Sequence, residues 1–315
     1  MKPEQWGSPL VQEKYQEQKA CDKRHPYRII IIIIIIIIII IIIITEITSY
    51  LSKAHNCKSS GNDQIQNYWL KAFPATHRHI TRNFNAIIEE LKKAPNWLIT
   101  GITYLIPKSG DGKEFRNYRP ITRLTVMYKT LIAIIAKRIS THSEEQSLLP
   151  AEQKVFHPGS KGCKDQLMIS KVIYEDCRRR NKNLSIAWID YQKAFDSVPN
   201  SWVEKSMELV GVNSKIVRFC KLSMEKWNIR FILKTKQEVM QSQPIQIRRG
   251  IFQGDSLSLL LFCIALIPLT NELNRADCGY QVHGTERKIS HLLYKDDLKL
   301  LGRNENDLKN EIKIV

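Results

Sequence analysis

The sequence predicts an α+β fold, with an antiparallel sheet backed by helices on one face. Three observations predict it. The apolar run Leu184 to Ile189 ends at Asp190 and reads as a central buried strand. Ile289–Tyr294 and Leu298–Leu301 flank Lys295, Asp296 and Asp297 and read as a hairpin. Between them, Ser256–Leu273 is a long apolar helix suited to packing beside that sheet.

The elements follow in order. Residues 1–28 are a polar, charged segment without the cleavage-site pattern of a secretory leader. Residues 29–44 are an unbroken isoleucine run. A membrane helix needs about 20 apolar residues, and a strand of this length would offer an aggregation-prone edge. A translated simple-sequence expansion is the favoured reading and a membrane span the alternative; a membrane partner is not expected. Thr45 to Phe73 reads as a turn and then a helix. Arg82 to Trp97 carries Phe84, Ile87, Ile88 and Leu91 at helical spacing and stops at Pro95. Ile102–Ile106 is a short strand ended by Pro107, and Lys108 to Asn117 is a Gly- and Lys-rich hairpin loop. Helices are expected over Thr125–Ile139 and Asp165–Arg180. Pro199 and Asn200 open another that runs to Val210, with Gly211 placed to end it. Ile229–Leu233 and Pro244–Arg248 read as strands around a polar turn.

Composition narrows the function. The chain of 315 residues has room for one large domain or two ordinary ones. A formal charge of +17 and a pI near 9.5 favour a polyanionic partner, bound more weakly as salt rises. Solvated lysine faces would give the same balance, so charge alone leaves the partner open. The seven cysteines form no Cys-x-x-Cys pair and no zinc-finger spacing with histidine. Reduced thiols in an intracellular protein are expected, with Cys263 in the core.

Three aspartates carry the chemistry. Asp190 stands at a strand end, and Asp296 and Asp297 are adjacent in the hairpin. A carboxylate there is a hard oxygen ligand suited to Mg²⁺. Adjacent carboxylates repel unless cations or basic groups offset them. Singly, each reads as an ordinary structural Asp. Together they are a way to hold two divalent cations around a phosphate, the chemistry of nucleotidyl transfer.

The wording around them is specific. Ile189-Asp190-Tyr191-Gln192-Lys193-Ala194-Phe195-Asp196-Ser197-Val198, Arg249-Gly250-Ile251-Phe252-Gln253-Gly254-Asp255-Ser256 and Tyr294-Lys295-Asp296-Asp297 resemble the palm motifs of reverse transcriptases. Within that family they are similar to non-long-terminal-repeat, LINE-like retrotransposons, the pol polyproteins of type-1 retrotransposable elements. Leu105-Ile106-Pro107-Lys108, Phe115-Arg116-Asn117-Tyr118-Arg119-Pro120-Ile121 and Gly162-Cys163-Lys164-Asp165-Gln166-Leu167 resemble the fingers-region motifs of the same family. The resemblance runs from about Gly61 to Val315.

The resemblance implies a right-hand polymerase, with residues 45–183 as a fingers-like region and 184–315 as the palm. The thumb is absent or incomplete, and the chain reads as part of a longer polyprotein. It implies an RNA-directed DNA polymerase that takes an RNA template, a DNA primer and deoxynucleoside triphosphates. Asp190, Asp296 and Asp297 would hold two Mg²⁺ ions, with Mn²⁺ as a substitute, and the Tyr191 carbonyl would touch a metal. Phe195 would stack under the nucleotide sugar and exclude a 2′-hydroxyl, with a core phenylalanine as the alternative. Gln253 and Gly254 would line the nucleotide pocket. Lys108 and Arg119 would pair with triphosphate oxygens, or else contact template or solvent. Elements of this kind act on chromosomal DNA, which implies nuclear and cytoplasmic residence. Two departures stand out: Leu259 follows Ser258 where the family has proline, and Lys295 precedes the Asp pair where the family has a small or apolar residue. A cation at 295 would pair with the carboxylates or crowd the primer. They keep a second reading open, a catalytically impaired remnant that binds RNA or DNA.

Overall fold

The computed structural model describes residues 41–107, 114, 117–155, 159–234, 239–252, 254, 256–286 and 288–315. The order begins with α1 (Ile44–Lys53), α2 (Asn67–Ala72), α3 (His77–Glu89) and α4 (Asn96–Ile99), then β1 (Thr100–Pro107) and β2 (Tyr118–Arg123). Next come α5 (Val126–Glu145), α6 (Cys163–Arg180), β3 (Ser185–Ile189), α7 (Ala194–Ser197), α8 (Asn200–Leu209) and α9 (Ser214–Lys226). After these follow β4 (Asn228–Lys234), β5 (Val239–Gln241), β6 (Ile245–Gln246) and α10 (Ser256–Arg275). The order ends with β7 (Tyr280–Gln281), β8 (Lys288–Ile289), β9 (His291–Tyr294), β10 (Asp297–Gly302) and α11 (Glu305–Ile314).

The chain forms two compact units. The described parts of residues 1–139 and 198–259 make one, and 140–197 with 260–315 make the other. The first holds a mixed sheet ordered β2-β1-β4-β5, with β6 also on β4. β1 and β2 are antiparallel, Ile102 opposite Arg123, while β1 and β4 run parallel, Thr100 opposite Asn228. The buried hydroxyls of Thr103 and Thr122 satisfy each other at 2.9 Å.

Around that sheet, α3 buries Ile80, Phe84 and Ile87, an i, i+4, i+7 stripe. This helix starts earlier than the spacing predicts and ends at Glu89, with Pro95 standing instead as the N-cap of α4. α8 closes as expected. Gly211 (φ +75°) donates its N–H to Glu208 O at 3.0 Å, and Val212 donates to Met207 O at 3.0 Å. Those two bonds cap carbonyls the helix leaves open, and the left-handed residue between them favours glycine. Of the isoleucine run, only Ile41–Ile44 lie within the described residues. Ile42 is buried, its N–H and C=O both held by the Asn85 side chain at 2.7 and 2.9 Å.

The second unit holds the antiparallel sheet β3-β10-β9 and the small pair β7-β8. Its three-stranded sheet is covered on both faces rather than one. Ile169, Ile173 and Cys177 of α6 pack with Ile186, Leu292 and Leu301. On the other face, Leu266, Leu269 and Leu273 of α10, with Leu308 and Ile314 of α11, pack with Ala187, Ile189, Leu293, Leu298 and Leu300. The expected central strand is an edge strand: among the described residues, β3 has β10 beside it and no second neighbour in that sheet. Its apolarity reflects partial cover on its two faces, with Trp188 left exposed, not two lateral neighbours. Helix α10 is long and apolar enough to cross a membrane by length and composition, yet Leu260, Leu261, Phe262, Ile264 and Leu273 on it are buried in the protein. Cys263 on the same helix is buried too, and burial pushes its thiol up to about 12.

Candidate active site

Register builds the site. Ile189 lies opposite Leu298, Trp188 opposite Lys299 and Ile186 opposite Leu301. The ladder ends at Ile189 and Leu298; continued one step past that end, its register sets Asp190 opposite Asp297. Residues two apart on a strand share a face. Ile186, Trp188 and Asp190 therefore share a face with Leu301, Lys299 and Asp297. The Lys299 Nζ, 5.1 Å from the centroid of the Trp188 ring, confirms that assignment. The face thus reads in rungs: an apolar pair, a cation–aromatic pair, and an acid pair at the open end.

Both acids of that last rung are exposed. Opposite Cβ atoms on antiparallel strands are about 4.5–5.5 Å apart, and like charges so placed destabilise each other. A divalent cation between them reverses that sign. Among the described residues, no three His, Cys, Asp or Glu side chains converge into a metal cage. Mg²⁺ does not need one. It binds through one or two carboxylates plus substrate phosphates and keeps several waters. The donor set of hard oxygens on one rung fits such an ion. Asp296, half-buried, lies in the turn rather than on the rung.

The turn itself is tight. Tyr294 pairs with Asp297, so Asp297 is the first residue of β10 and only Lys295 and Asp296 remain between the strands. Lys295 takes φ +57°. A positive φ at the first central residue is what two-residue hairpins require, and a side chain there costs about 1–2 kcal/mol. The Lys295 Nζ lies over the Tyr294 ring, 5.4 Å from its centroid, rather than in an ion pair with the carboxylates.

The remaining sequence-predicted residues fall as follows. Tyr191 is half-buried against the Leu293, Leu298 and Leu300 cluster, and burial raises its hydroxyl above the ordinary value. It shares that side with Ile189, opposite to Asp190. Phe195 stacks on Phe262 with ring centroids 4.7 Å apart and planes at 21°. Gly254 takes φ +129°, and a Cβ there would meet Thr122 O at 3.0 Å, so backbone approaches backbone closely. Arg119 is exposed on β2. Lys108 and Gln253 lie outside the described residues.

Sequence reasoning missed three neighbours. Trp188 is 73% exposed one rung from the acids, where a continuous apolar run had implied burial. Lys299 donates to Ser170 Oγ at 3.1 Å, and burial lowers its ammonium from the ordinary value. Its signal was present in the sequence as the alternation Asp297, Lys299, Leu301. Gln153 reaches the turn from far along the chain, with no local signal. Behind the strand, His291 is fully buried between Ser290 Oγ at 2.8 Å and Thr270 Oγ1 at 3.2 Å. Burial pulls its imidazole down to about 4, so it is neutral near pH 7.

The sequence matches the family described as reverse transcriptase (RNA-dependent DNA polymerase) over residues 106–315. It is 29% identical over 211 residues to a retrovirus-related Pol polyprotein from the type-1 retrotransposable element R2 of Popillia japonica, covering 64% of this chain and 27% of that protein. It is 30% identical over 223 residues to the corresponding R2 polyprotein of Nasonia vitripennis, covering 69% and 20%. A probable RNA-directed DNA polymerase from transposon BS of Drosophila melanogaster is 27% identical, covering 78% and 26%. The chain thus spans less than a third of each of these relatives. Apo telomerase from Candida tropicalis, truncated from its C-terminal domain, aligns with a TM-score of 0.47 at 15% identity, covering 75% of this chain and 51% of that one.

Proposed function

This chain belongs to the reverse transcriptase (RNA-dependent DNA polymerase) family, and from that premise we propose that it extends a DNA primer on an RNA template. The observation that carries this reading is the β3–β10 register, which ends at Ile189–Leu298 and so leads Asp190 and Asp297 to the same open end of the sheet. We assign Asp190, Asp296 and Asp297, with the Tyr191 carbonyl, to holding two Mg²⁺ ions, or Mn²⁺ in their place. When bound, the metal supplies Lewis-acid stabilisation of phosphate charge and a lowered pKa for the primer hydroxyl.

The chain's own residues do the rest. Asp190 and Asp297 fix where the reacting oxygens sit. Phe195, braced by Phe262, presents an aromatic edge that discriminates deoxyribose from ribose. Gly254 belongs to the nucleotide pocket in this reading, its missing Cβ leaving room for the Thr122 carbonyl. Lys108, Arg119 and Gln253 bind the triphosphate and the nucleotide pocket. In this reading 45–183 serve as fingers and 184–315 as palm.

Lys295 favours a second reading. Its ammonium, held over the Tyr294 ring in the same turn, adds positive charge near any metal, which suits a relic that binds RNA and DNA without synthesis. Primer extension on an RNA template with Mg²⁺ and deoxynucleotides separates the two, run with the full chain beside Asp297→Asn. Extension that drops at least a hundredfold in the variant supports the polymerase. Extension that is equal in both sinks the metal assignment. Salt-sensitive RNA binding without extension supports the relic.

A further inference from the structure

The turn that carries the acids is held by a side chain from outside the hairpin. Gln153 is 1% exposed. Its Oε1 accepts the Lys295 N–H at 3.1 Å, and its Nε2 donates to the Lys295 C=O at 3.4 Å. A backbone N–H only donates, so the orientation of the amide is fixed by its partners. The same Oε1 also accepts the Val155 N–H at 3.4 Å. One side chain therefore engages both backbone groups of the one turn residue held at positive φ.

The approach of that side chain is itself fixed. Gln153 forms a parallel bridge with Leu293 of β9. Leu293 N–H donates to Glu152 O at 3.1 Å, and Lys154 N–H donates to Leu293 O at 3.3 Å. The Gln166 amide spans both strands, donating to Glu152 O at 2.7 Å and Leu293 O at 2.9 Å. Gly162 closes the other side, where a Cβ would stand 3.0 Å from the Tyr294 ring. The segment around Gln153 is thus a short extra neighbour of β9, ending at the turn.

We propose that Gln153 is a positioning residue: its amide holds Lys295 in the left-handed conformation and so sets Asp297 on the rung opposite Asp190. The inference rests on the polymerase reading for its consequence, and on the hairpin geometry alone for its mechanism. The residue type follows from that geometry. Alanine would take away the partner of a part-buried N–H and C=O. Glutamate would keep the acceptor but turn an oxygen toward the Lys295 carbonyl. Glycine at 295 would remove the need for the clamp, because it takes positive φ unaided.

A double-mutant cycle in the full chain tests this. Gln153→Ala and Lys295→Gly are made singly and together; Gln153→Met, which keeps length and volume, replaces the alanine variant if that one fails to fold. Three quantities are read: hydrogen exchange of the position-295 amide, Mn²⁺ affinity by electron paramagnetic resonance, and kcat and KM for primer extension. The expected result is about tenfold faster exchange at 295 in Gln153→Ala, from the lost bond. Mn²⁺ affinity and kcat should fall with it, while KM for primer-template holds. Adding Lys295→Gly should recover most of the loss. Unchanged exchange and Mn²⁺ affinity in Gln153→Ala overturn the proposal. So does a loss of the same size in the Lys295→Gly background. If the parent chain neither extends primers nor binds Mn²⁺, the polymerase reading fails, and the exchange cycle still decides the clamp.

Discussion

The two sheets of this chain are built to different standards. The three-stranded sheet has helices on both faces and buries Leu298, Leu300 and Leu301 almost completely. The mixed sheet of the other unit leaves Ile106, Leu233, Val239, Met240 and Ile245 at the surface, and its β5 is exposed along its length. The difference bears on register. A strand buried on both faces loses packing on any slip, whereas an exposed strand resists slippage weakly. The acid rung needs that protection, because a shift of one residue would send Asp190 to the opposite face.

Truncation in the doubly packed sheet should have the largest effect. Leu300→Ala should cost about 2–5 kcal/mol, read from denaturant melts. A cost under about 1 kcal/mol would mean that the sheet is not the rigid partner.

The protected sheet and the helix α11 packed on it carry two buried titrating groups whose effects oppose. His291 is pulled down to about 4 from an ordinary 6.5. The unfolded chain therefore gains a proton below 6.5 that the folded chain refuses until about 4. Its contribution is complete above 6.5 and is lost as pH falls towards 4, by about 3 kcal/mol at 1.36 kcal/mol per pH unit. Glu311, fully buried on α11, is pushed up to about 7 from an ordinary 4.5. The folded chain keeps its proton between those values, so this contribution is complete below 4.5 and is lost as pH rises to 7. From 4.5 to 6.5 the two slopes offset each other. Glu311→Gln should expose a stability that climbs from pH 4 to 6.5, and His291→Gln one that declines from pH 4.5 to 7. Thermal melts across that range that respond to neither variant would break the assignment.

Two smaller effects belong to the mixed sheet's unit. Gly254→Ala should cost about 1–3 kcal/mol, since it puts a Cβ on a positive-φ backbone against Thr122 O. Met240→Ser, on exposed β5, should change stability by no more than about 0.5 kcal/mol. A large loss there would show that its exposed strand is covered in solution.

Much of this was legible in the residues. Asp190 after an apolar run, the hairpin around Lys295 and the core helix at Ser256 are local patterns, and local patterns survive folding. Period-two alternation would also have predicted that Trp188 and Lys299 share a face with the acids. The edge position of β3 was not legible, because a continuous apolar run reports covered faces and says nothing about lateral neighbours. Gln153 was less so. Its hydrogen bonds join backbone far apart in the chain, and an isolated glutamine carries no periodicity. Helices on both faces of the sheet were missed for a similar reason: α6 precedes the sheet in sequence, and its narrow stripe of buried Ile173 with partly buried Ile169 and Cys177 sits among charged residues.

Lys295 inverts the usual tolerance to substitution. At most exposed positions glycine weakens a protein; at φ +57° it should strengthen this one by up to about 1 kcal/mol. Branched side chains should fare worst there. The same replacement strips a positive charge from beside Asp296 and Asp297. If the proposed metal site holds, glycine at this position should raise fold stability and metal occupancy together.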